Sequence, residues 1–502
     1  MLLEVIIFLL TTLVAYYLYC YKKVHGYFKQ RGVRFLPGVP VFGNMFKSTF
    51  LKKHFVEELE EVYNAYPDEK YVGFIEYTSP ILIIRDPELI KKITVKDFDH
   101  FVDHKEFLSD ETDSLFGNSL FAMKGDKWRD MRSTLSPAFT SSKMRHIMPS
   151  MVDIANNIIE YLTEHLSENV NVDDVMRRYT NDVIASAGFG LQVNSVKDRD
   201  NEFYMIGSNI FNFDYKQRIY FVIYTQFPTF AKKLGIRLFP DRVYNFFTNI
   251  VKSTMEYRKK EKVERPDMIQ LFGLKCQCIT FITFILEWTA VELTSQVFLF
   301  FAAGFETSAS TLVMSIHELA LNPEVQNKLY QEIRKHKEEK ELNFENLNEL
   351  KYLECVINET LRKWSPGIFM DRKCVKPYEL PPPREGGRPY FLKPGDVVFN
   401  MANCLHTDAR YFPEPELFNP DRFSEENKHN IQPFTFSPFG VGPRICIGTR
   451  FAYMEIKVLL YHLILSFRIL KCEKTTDPIR LQPDSFNIKS IGGAWVTFEK
   501  RE

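Results

Sequence analysis

One cysteine stands in a stretch whose residue types an ordinary loop does not require. Phe439-Gly440-Val441-Gly442-Pro443-Arg444-Ile445-Cys446-Ile447-Gly448 places three glycines and a proline within ten residues. That composition specifies an irregular backbone, with positions open to positive φ or to close approach by a neighbour. The segment 449–467 then reads as a long apolar-striped helix, so Cys446 precedes a helix start. Free N–H groups and the helix dipole favour an anion there, and the thiolate is the form of cysteine that binds a metal. Arg444, two residues earlier, could offset a carboxylate charge. A lone buried cysteine would be structural; the spacing of the whole stretch argues for ligation.

A second constellation interrupts the apolar run 293–319. Ala303-Gly304-Phe305-Glu306-Thr307-Ser308 inserts a glycine, an acid and two hydroxyls. Glycine inside a helix costs about 1 kcal/mol against alanine, and an acid among apolar residues needs a partner. Such local costs tend to mark functional sites. A hydroxyl beside an acid suits proton delivery to a reacting group; a hydroxyl packed into a helix groove is the bland alternative. Three motifs carry arginines. Glu359 and Arg362 are three apart, and Trp128 and Arg132 four apart, so each pair shares a helix face. Arg372 follows Asp371 in a more polar stretch. Taken singly, each of these arginines reads as a surface charge.

The elements that must position these residues are mostly helices. Helical spacing dominates 50–365, as in 151–166, 175–189 and 323–340, the last a charged and solvated face. Between 373 and 398, Pro381-Pro382-Pro383 and Gly386-Gly387 punctuate short apolar runs that read as hairpins, and 488–498 again looks extended. The 502 residues contain no Gly/Ser tract, charged tail or repeat, so one large catalytic unit is expected. Lys+Arg and Asp+Glu both number 64, which removes the basic footprint of a nucleic-acid binder. Eight scattered cysteines form no disulfide framework and suit a reducing compartment, and Cys276 and Cys278 lack the partners of a zinc site.

Near the N-terminus, residues 2–20 are almost continuously apolar. Some 19 residues at ~1.5 Å each match a ~30 Å hydrocarbon core. Glu4 at the start and Tyr19, Cys20 and Tyr21 at the end do not resemble a cleavable signal. Lys22, Lys23, Lys29, Arg31 and Arg34 follow the run, which places the body on the cytosolic side. Leu36-Pro37-Gly38-Val39-Pro40-Val41-Phe42-Gly43 should be a stiff, non-helical connector.

The cysteine stretch, read as Phe439-x-x-Gly442-x-Arg444-x-Cys446-x-Gly448, resembles the haem-binding motif of cytochrome P-450 monooxygenases at every defining position. The wording around 300–308 and 433–442 is similar to that of insect microsomal, xenobiotic-metabolising members. The resemblance covers the chain after the apolar N-terminus. It implies a mainly α fold with a smaller β-rich portion in its later part. The divisions would be an anchor helix at 1–21, a basic and Pro/Gly-rich connector at 22–44, and the catalytic domain at 45–502.

It also implies haem b as cofactor, with Cys446 as the metal ligand and Phe439 in the cofactor motif. Trp128, Arg132, Arg372 and Arg444 would meet the haem propionates. Ala303 and Gly304 would make room for oxygen, Thr307 would hold a water, and Glu306 would relay protons. Glu359, Arg362 and Arg422, the last in Phe418-Asn419-Pro420-Asp421-Arg422-Phe423, would lock the fold without taking part in chemistry. Asp421 stands where glutamate is more usual. Electrons would come from NADPH through NADPH–cytochrome P-450 reductase, with cytochrome b5 as an optional donor, because the chain has no dinucleotide fingerprint. The remaining partners would be membrane lipid and an apolar small molecule, in the endoplasmic reticulum membrane with the catalytic domain on the cytosolic face.

Substrate identity is poorly written in the sequence. The resemblance makes 107–121 and the aromatic stretch 203–239 walls of the substrate pocket; the latter is either a lipid-dipping surface or ordinary core. One segment departs from the family: 276–288 is apolar where a polar connector is expected. It is either a membrane-contacting loop or a defect in the assembled coding sequence. Two other functions stay in view, a haem-thiolate isomerase or dehydratase and a non-catalytic haem or hydrophobe-binding protein. The Glu306–Thr307 pair argues against the first and the intact cysteine against the second.

Overall fold

The apolar N-terminal run folds as one helix, α1 (Leu2–Gln30), whose side chains from Leu3 to Tyr19 are largely exposed. The computed structural model describes residues 2–110, 113–210, 215–262, 267–269 and 289–502; the apolar segment 276–288 lies outside the described residues. Helix α1 is long and apolar enough to cross a membrane. It also continues past the expected anchor boundary at residue 21, so the first part of the expected connector is helical. The connector becomes irregular only where the proline-rich stretch begins, with Val39 bridging Gly43. Phe28 is fully buried against Gly73, whose missing Cβ leaves room for the ring.

The longer elements that follow are α2 (Phe55–Asn64), β1 (Tyr71–Glu76), β2 (Ser79–Ile84), α3 (Gly125–Leu135), α4 (Ser141–Glu164) and α5 (Val172–Ile184). Next come α6 (Tyr215–Gln226), α7 (Asp241–Glu261), α8 (Ala290–Leu321), α9 (Pro323–Glu339) and α10 (Lys351–Lys363). The last part holds β3 (Met370–Lys373), β4 (Tyr378–Leu380), β5 (Tyr390–Leu392), β6 (Val397–Asn400), α11 (Thr449–Ser466), β7 (Phe467–Leu470) and β8 (Trp495–Lys500). The fold is mainly α with a smaller β portion, as expected, and β4 and β5 form the expected hairpin.

The β portion is not confined to the later part of the chain. The main sheet has the order β1-β2-β6-β3, and its first two strands come from a region whose spacing reads as helical. Strand β2 pairs parallel to β6 with Leu82 opposite Val398, and β3 pairs antiparallel to β6 with Arg372 opposite Val398. Six-residue apolar runs such as 71–76 do not separate strand from helix by periodicity; here a local hairpin with β2, itself paired to the distant β6, decides the outcome. The expected extended stretch 488–498 is shorter than its pattern suggests. Strand β8 begins only at Trp495, because Gly492 and Gly493 turn the chain with φ of 78° and 85°.

Helix α8 runs through the middle. It starts at a reciprocal capping box in which Thr289 accepts the Glu292 N–H at 3.1 Å and Glu292 accepts that of Thr289 at 3.0 Å. From Phe301 to Ala320 every residue is buried except Ala303, Gly304 and Thr307. Helix α5 packs along it, with Thr180 donating to the Phe305 carbonyl at 2.9 Å. A Cβ on Gly304 would come within 2.6 Å of Ile184 Cδ1, so this glycine sets the spacing between the two helices.

Candidate active site

The loop before α11 is held in shape by its own backbone. The Cys446 N–H donates to the Phe439 carbonyl at 2.9 Å, and the Ile445 N–H to that of Gly442 at 3.0 Å. Gly442 has φ of 77°, and a Cβ there would lie 2.0 Å from the Thr94 carbonyl oxygen, so only glycine fits. Phe439 also packs its ring against Tyr453 of α11 at 5.3 Å. Gly448 caps α11, leaving Cys446 just outside the helix start.

The Cys446 side chain is accessible, yet its surroundings desolvate it and push its thiol pKa up. The Gly448 N–H, the Thr449 hydroxyl and the charge of Arg132 pull the other way. The sulfur is thus both reachable and surrounded by protein. Coordination to a metal would deprotonate such a thiol outright.

Arginines gather near this cysteine from three parts of the chain. Helix α3 supplies Trp128 and Arg132 on one face, β3 supplies Arg372, and the cysteine loop supplies Arg444. The guanidinium of Arg444 lies over the Trp128 ring at 4.0 Å and donates to the carbonyls of Val102 at 2.9 Å and Met123 at 2.8 Å. Its nearest carboxylate, Asp103, is 3.9 Å away. Burial, with Arg372 and Arg132 nearby, pushes the Arg444 pKa down to about 9.

Arg372 is buried and donates to the Asp371 carbonyl at 2.7 Å, while its Nε has no partner. Asp371 itself is taken by His104 at 3.0 Å, whose ring stacks on Phe121. Arg132 makes no ion pair among the described residues, and burial lowers its pKa. Three cations held together, one with an orphaned buried N–H, form a receptor for a dianion. A thiol beside such a receptor fits a flat iron porphyrin with two carboxylates.

The acid and the alcohol on α8 point in different directions, because successive helix residues are ~100° apart. Thr307 is exposed and donates to the Ala303 carbonyl at 2.6 Å, leaving its oxygen free to accept a water. Glu306 is buried and paired with Arg177 of α5, and it accepts from Asn487 Nδ2 at 3.2 Å. Its carboxylate faces a polar cavity of about 240 Å³ that also holds Asp173, Tyr204 and Lys489. Arg177 and Asn487 were not singled out from the sequence. Arg177 sits four residues after Asp173, the spacing of a surface ion pair, and nothing local says that α5 is buried almost throughout.

A second cavity, of about 540 Å³, is apolar and lined by eleven phenylalanines. Phe107 and Phe116 come from the first expected wall, Phe221 and Phe239 from the second. The rest of the expected aromatic wall divides: Tyr224 is buried, Phe227 and Phe230 are about half exposed, and Phe211 and Phe213 lie outside the described residues.

Glu359, Arg362 and Arg422 come together as expected, away from any opening. Arg362 is fully buried and meets both Glu359 oxygens at 2.8 Å, and Arg422 Nε lies 3.5 Å from Glu359.

Comparison with known proteins agrees with this geometry. Residues 33–493 match the family model described as cytochrome P-450. The chain is 40% identical to cytochrome P-450 9e2 of Blattella germanica, over 95% of this chain and 94% of that protein. It is 38% identical to the probable cytochrome P-450 9f2 of Drosophila melanogaster, over 95% of each. Against cytochrome P-450 6k1 of Blattella germanica the identity is 34%, over 99% of this chain and 97% of the relative. With Cys446 in the motif loop and the arginine receptor beside it, the chain belongs to the cytochrome P-450 family of haem-dependent monooxygenases.

Proposed function

We propose that the protein inserts one oxygen atom into an apolar, xenobiotic or endogenous lipophile, using electrons from NADPH. They would arrive through NADPH–cytochrome P-450 reductase, with cytochrome b5 as an optional donor, and α1 would hold the enzyme in the endoplasmic reticulum membrane with the body in the cytosol. The observation that carries this reading is the joint placement of an accessible loop cysteine and three buried or half-buried arginines. When bound, haem b supplies the activation of dioxygen, one atom going to substrate and the other leaving as water.

The residues divide the remaining work. Cys446 supplies the sulfur ligand, at the end of a backbone loop that fixes its direction. Arg132, Arg372 and Arg444 neutralise the two carboxylates, and Trp128 supports Arg444 from below. Thr307 holds a water at its free lone pairs. Glu306 passes protons to that water from the polar cavity, which requires its carboxyl to leave Arg177 and Asn487. The phenylalanine-lined cavity desolvates and holds the substrate. Two measurements on the full-length protein test the reading. A reduced carbon monoxide difference spectrum should show the thiolate band, and apolar compounds should give a type I shift. An iron porphyrin held through nitrogen, or none at all, would overturn it.

A further inference from the structure

A hairpin near the C-terminus separates the two cavities. It is closed by the Leu481–Ser490 bridge, and the Gln482 N–H donates to the Lys489 carbonyl at 2.8 Å. Ser485 and Asn487 line both cavities, and they are the only residues common to the two linings among the described residues. Between them, Phe486 enters the apolar cavity, edge-on to Phe221 at 5.5 Å and tilted against Phe55 at 6.0 Å. Asn487 reaches the other way and donates to Glu306 at 3.2 Å.

The hairpin's far side is pinned. Ser310 of α8 donates to the Ile488 carbonyl at 2.9 Å, and Lys489 lies 3.5 Å from Asp173. Within the tip, the Asn487 N–H donates to Ser485 Oγ at 3.1 Å. A ligand wedged between Phe486 and Phe221 that shifts the Phe486 backbone moves Asn487 with it, because Asn487 is tied to Ser485 within the tip, and it does so against the hold of His54 on the Ser485 and Asn487 backbone. Hydrogen bonds to a charged group are among the stronger ones, so the Glu306 carboxylate has something to lose. The groups facing it are Arg177 and Asn487, with Asp173 on the far side of Arg177 and Lys489 beyond.

We propose that Asn487 is a positioning residue that couples occupancy of the apolar cavity to release of Glu306. As the structure stands, Asn487 holds Glu306 beside Arg177. Ligand against Phe486 withdraws Asn487, and the carboxyl becomes free to turn towards the water at Thr307. Proton delivery is thereby restricted to the substrate-bound enzyme. This inference rests on the roles proposed above for Glu306 and Thr307. Coupling free energies are reciprocal, so weakening the Asn487–Glu306 bond must tighten ligand binding.

The test uses the full-length holoenzyme in detergent, with Nile red, an uncharged aromatic fluorophore, as the probe. Its dissociation constant is measured for wild type, Asn487→Ala, Glu306→Gln and the double variant. Each single replacement should tighten binding by about fivefold, and the double replacement no further. In a Phe486→Ala background the effect of Asn487→Ala should vanish. Asn487→Asp, which keeps the shape and replaces the donor by an acceptor, should shift affinity in the same direction if Asn487→Ala fails to fold.

A second readout separates this idea from the reading beneath it. Peroxide released per NADPH should fall on adding probe to wild type and should be indifferent to probe in Asn487→Ala. Additive affinities in the double-mutant cycle would overturn the coupling. Non-additive affinities with an unresponsive peroxide leak would keep the coupling and remove Glu306 from proton delivery.

Discussion

Two of the arginine groups inside this fold, one around Glu359 and one beside Cys446, are finished differently. In the first, Arg362 gives two bonds to Glu359 at 2.8 Å and others to the carbonyls of His406 at 3.0 Å and Pro415 at 2.8 Å. Glu359 in turn accepts the Asn419 N–H at 2.8 Å. In the second, Arg132 has no ion pair among the described residues, Arg372 keeps an orphaned Nε, and Arg444 relies on carbonyls and the Trp128 ring. A set gathered on its own buried carboxylate, with even the unbonded Arg422 Nε 3.5 Å from it, locks structure. A set left with excess positive charge beside an accessible cysteine is finished by a ligand. The same residue type does both jobs, and only its partners tell them apart.

The sharpest break of this comparison is at the sulfur. Cys446→Ser should leave a folded protein and abolish the thiolate carbon monoxide band completely; a retained band would mean that another residue ligates iron. Next in size is the closed group. Arg362→Ala leaves the fully buried Glu359 without its two-pronged partner and with only Arg422 Nε at 3.5 Å, and should cost about 3–5 kcal/mol, read as loss of soluble protein or a large fall in urea midpoint. A neutral result there would erase the distinction between the groups.

The open group should behave oppositely. Arg372→Ala should cost less than 1.5 kcal/mol in the haem-free protein, about the worth of one ordinary hydrogen bond, and should raise the rate of haem loss to apomyoglobin roughly tenfold. Equal destabilisation of haem-free protein by Arg372→Ala and Arg362→Ala would show that both groups are structural. Thr307→Ala tests the proposed water site on α8: spectra and ligand binding should persist, while peroxide released per NADPH rises severalfold.

The smallest effect concerns a buried group belonging to neither set. Glu455 on α11 is fully buried, both its oxygens lack a well-formed hydrogen bond, and burial pushes its pKa up to about 8, with the nearby Ser308 hydroxyl opposing. Its ordinary value is 4.5, so the folded state holds the proton more tightly than the unfolded chain. That contribution is fully present below pH 4.5 and is lost as pH rises through about 8. Glu455→Gln should therefore match wild type in melting temperature near pH 5 and exceed it above pH 8. Parallel curves would mean that Glu455 ionises at its ordinary value.

The parts of this protein that could be read early are those carried by short spacing. The cysteine loop, the i,i+4 pair Trp128/Arg132 and the long helices α8 and α11 are local patterns, and the fold retains them. The cofactor class and the family followed from that loop, with the motifs at 128–132, 303–308 and 359–362 in support. Other features were decided only by contacts between distant segments. Strand β2 is fixed in its sheet by β6, which pairs with it across about three hundred residues, and β1 joins through its hairpin with β2. Glu306 turned out to be held by Arg177 and Asn487 and not poised beside Thr307, since a helix sends neighbouring side chains to different faces. Gly304 proved to set a helix contact with Ile184. Sequence fixes which chemistry a residue can perform, because that depends on its type and nearest neighbours; burial, charge balance and the room a side chain faces depend on partners far along the chain, and those only the tertiary structure supplies.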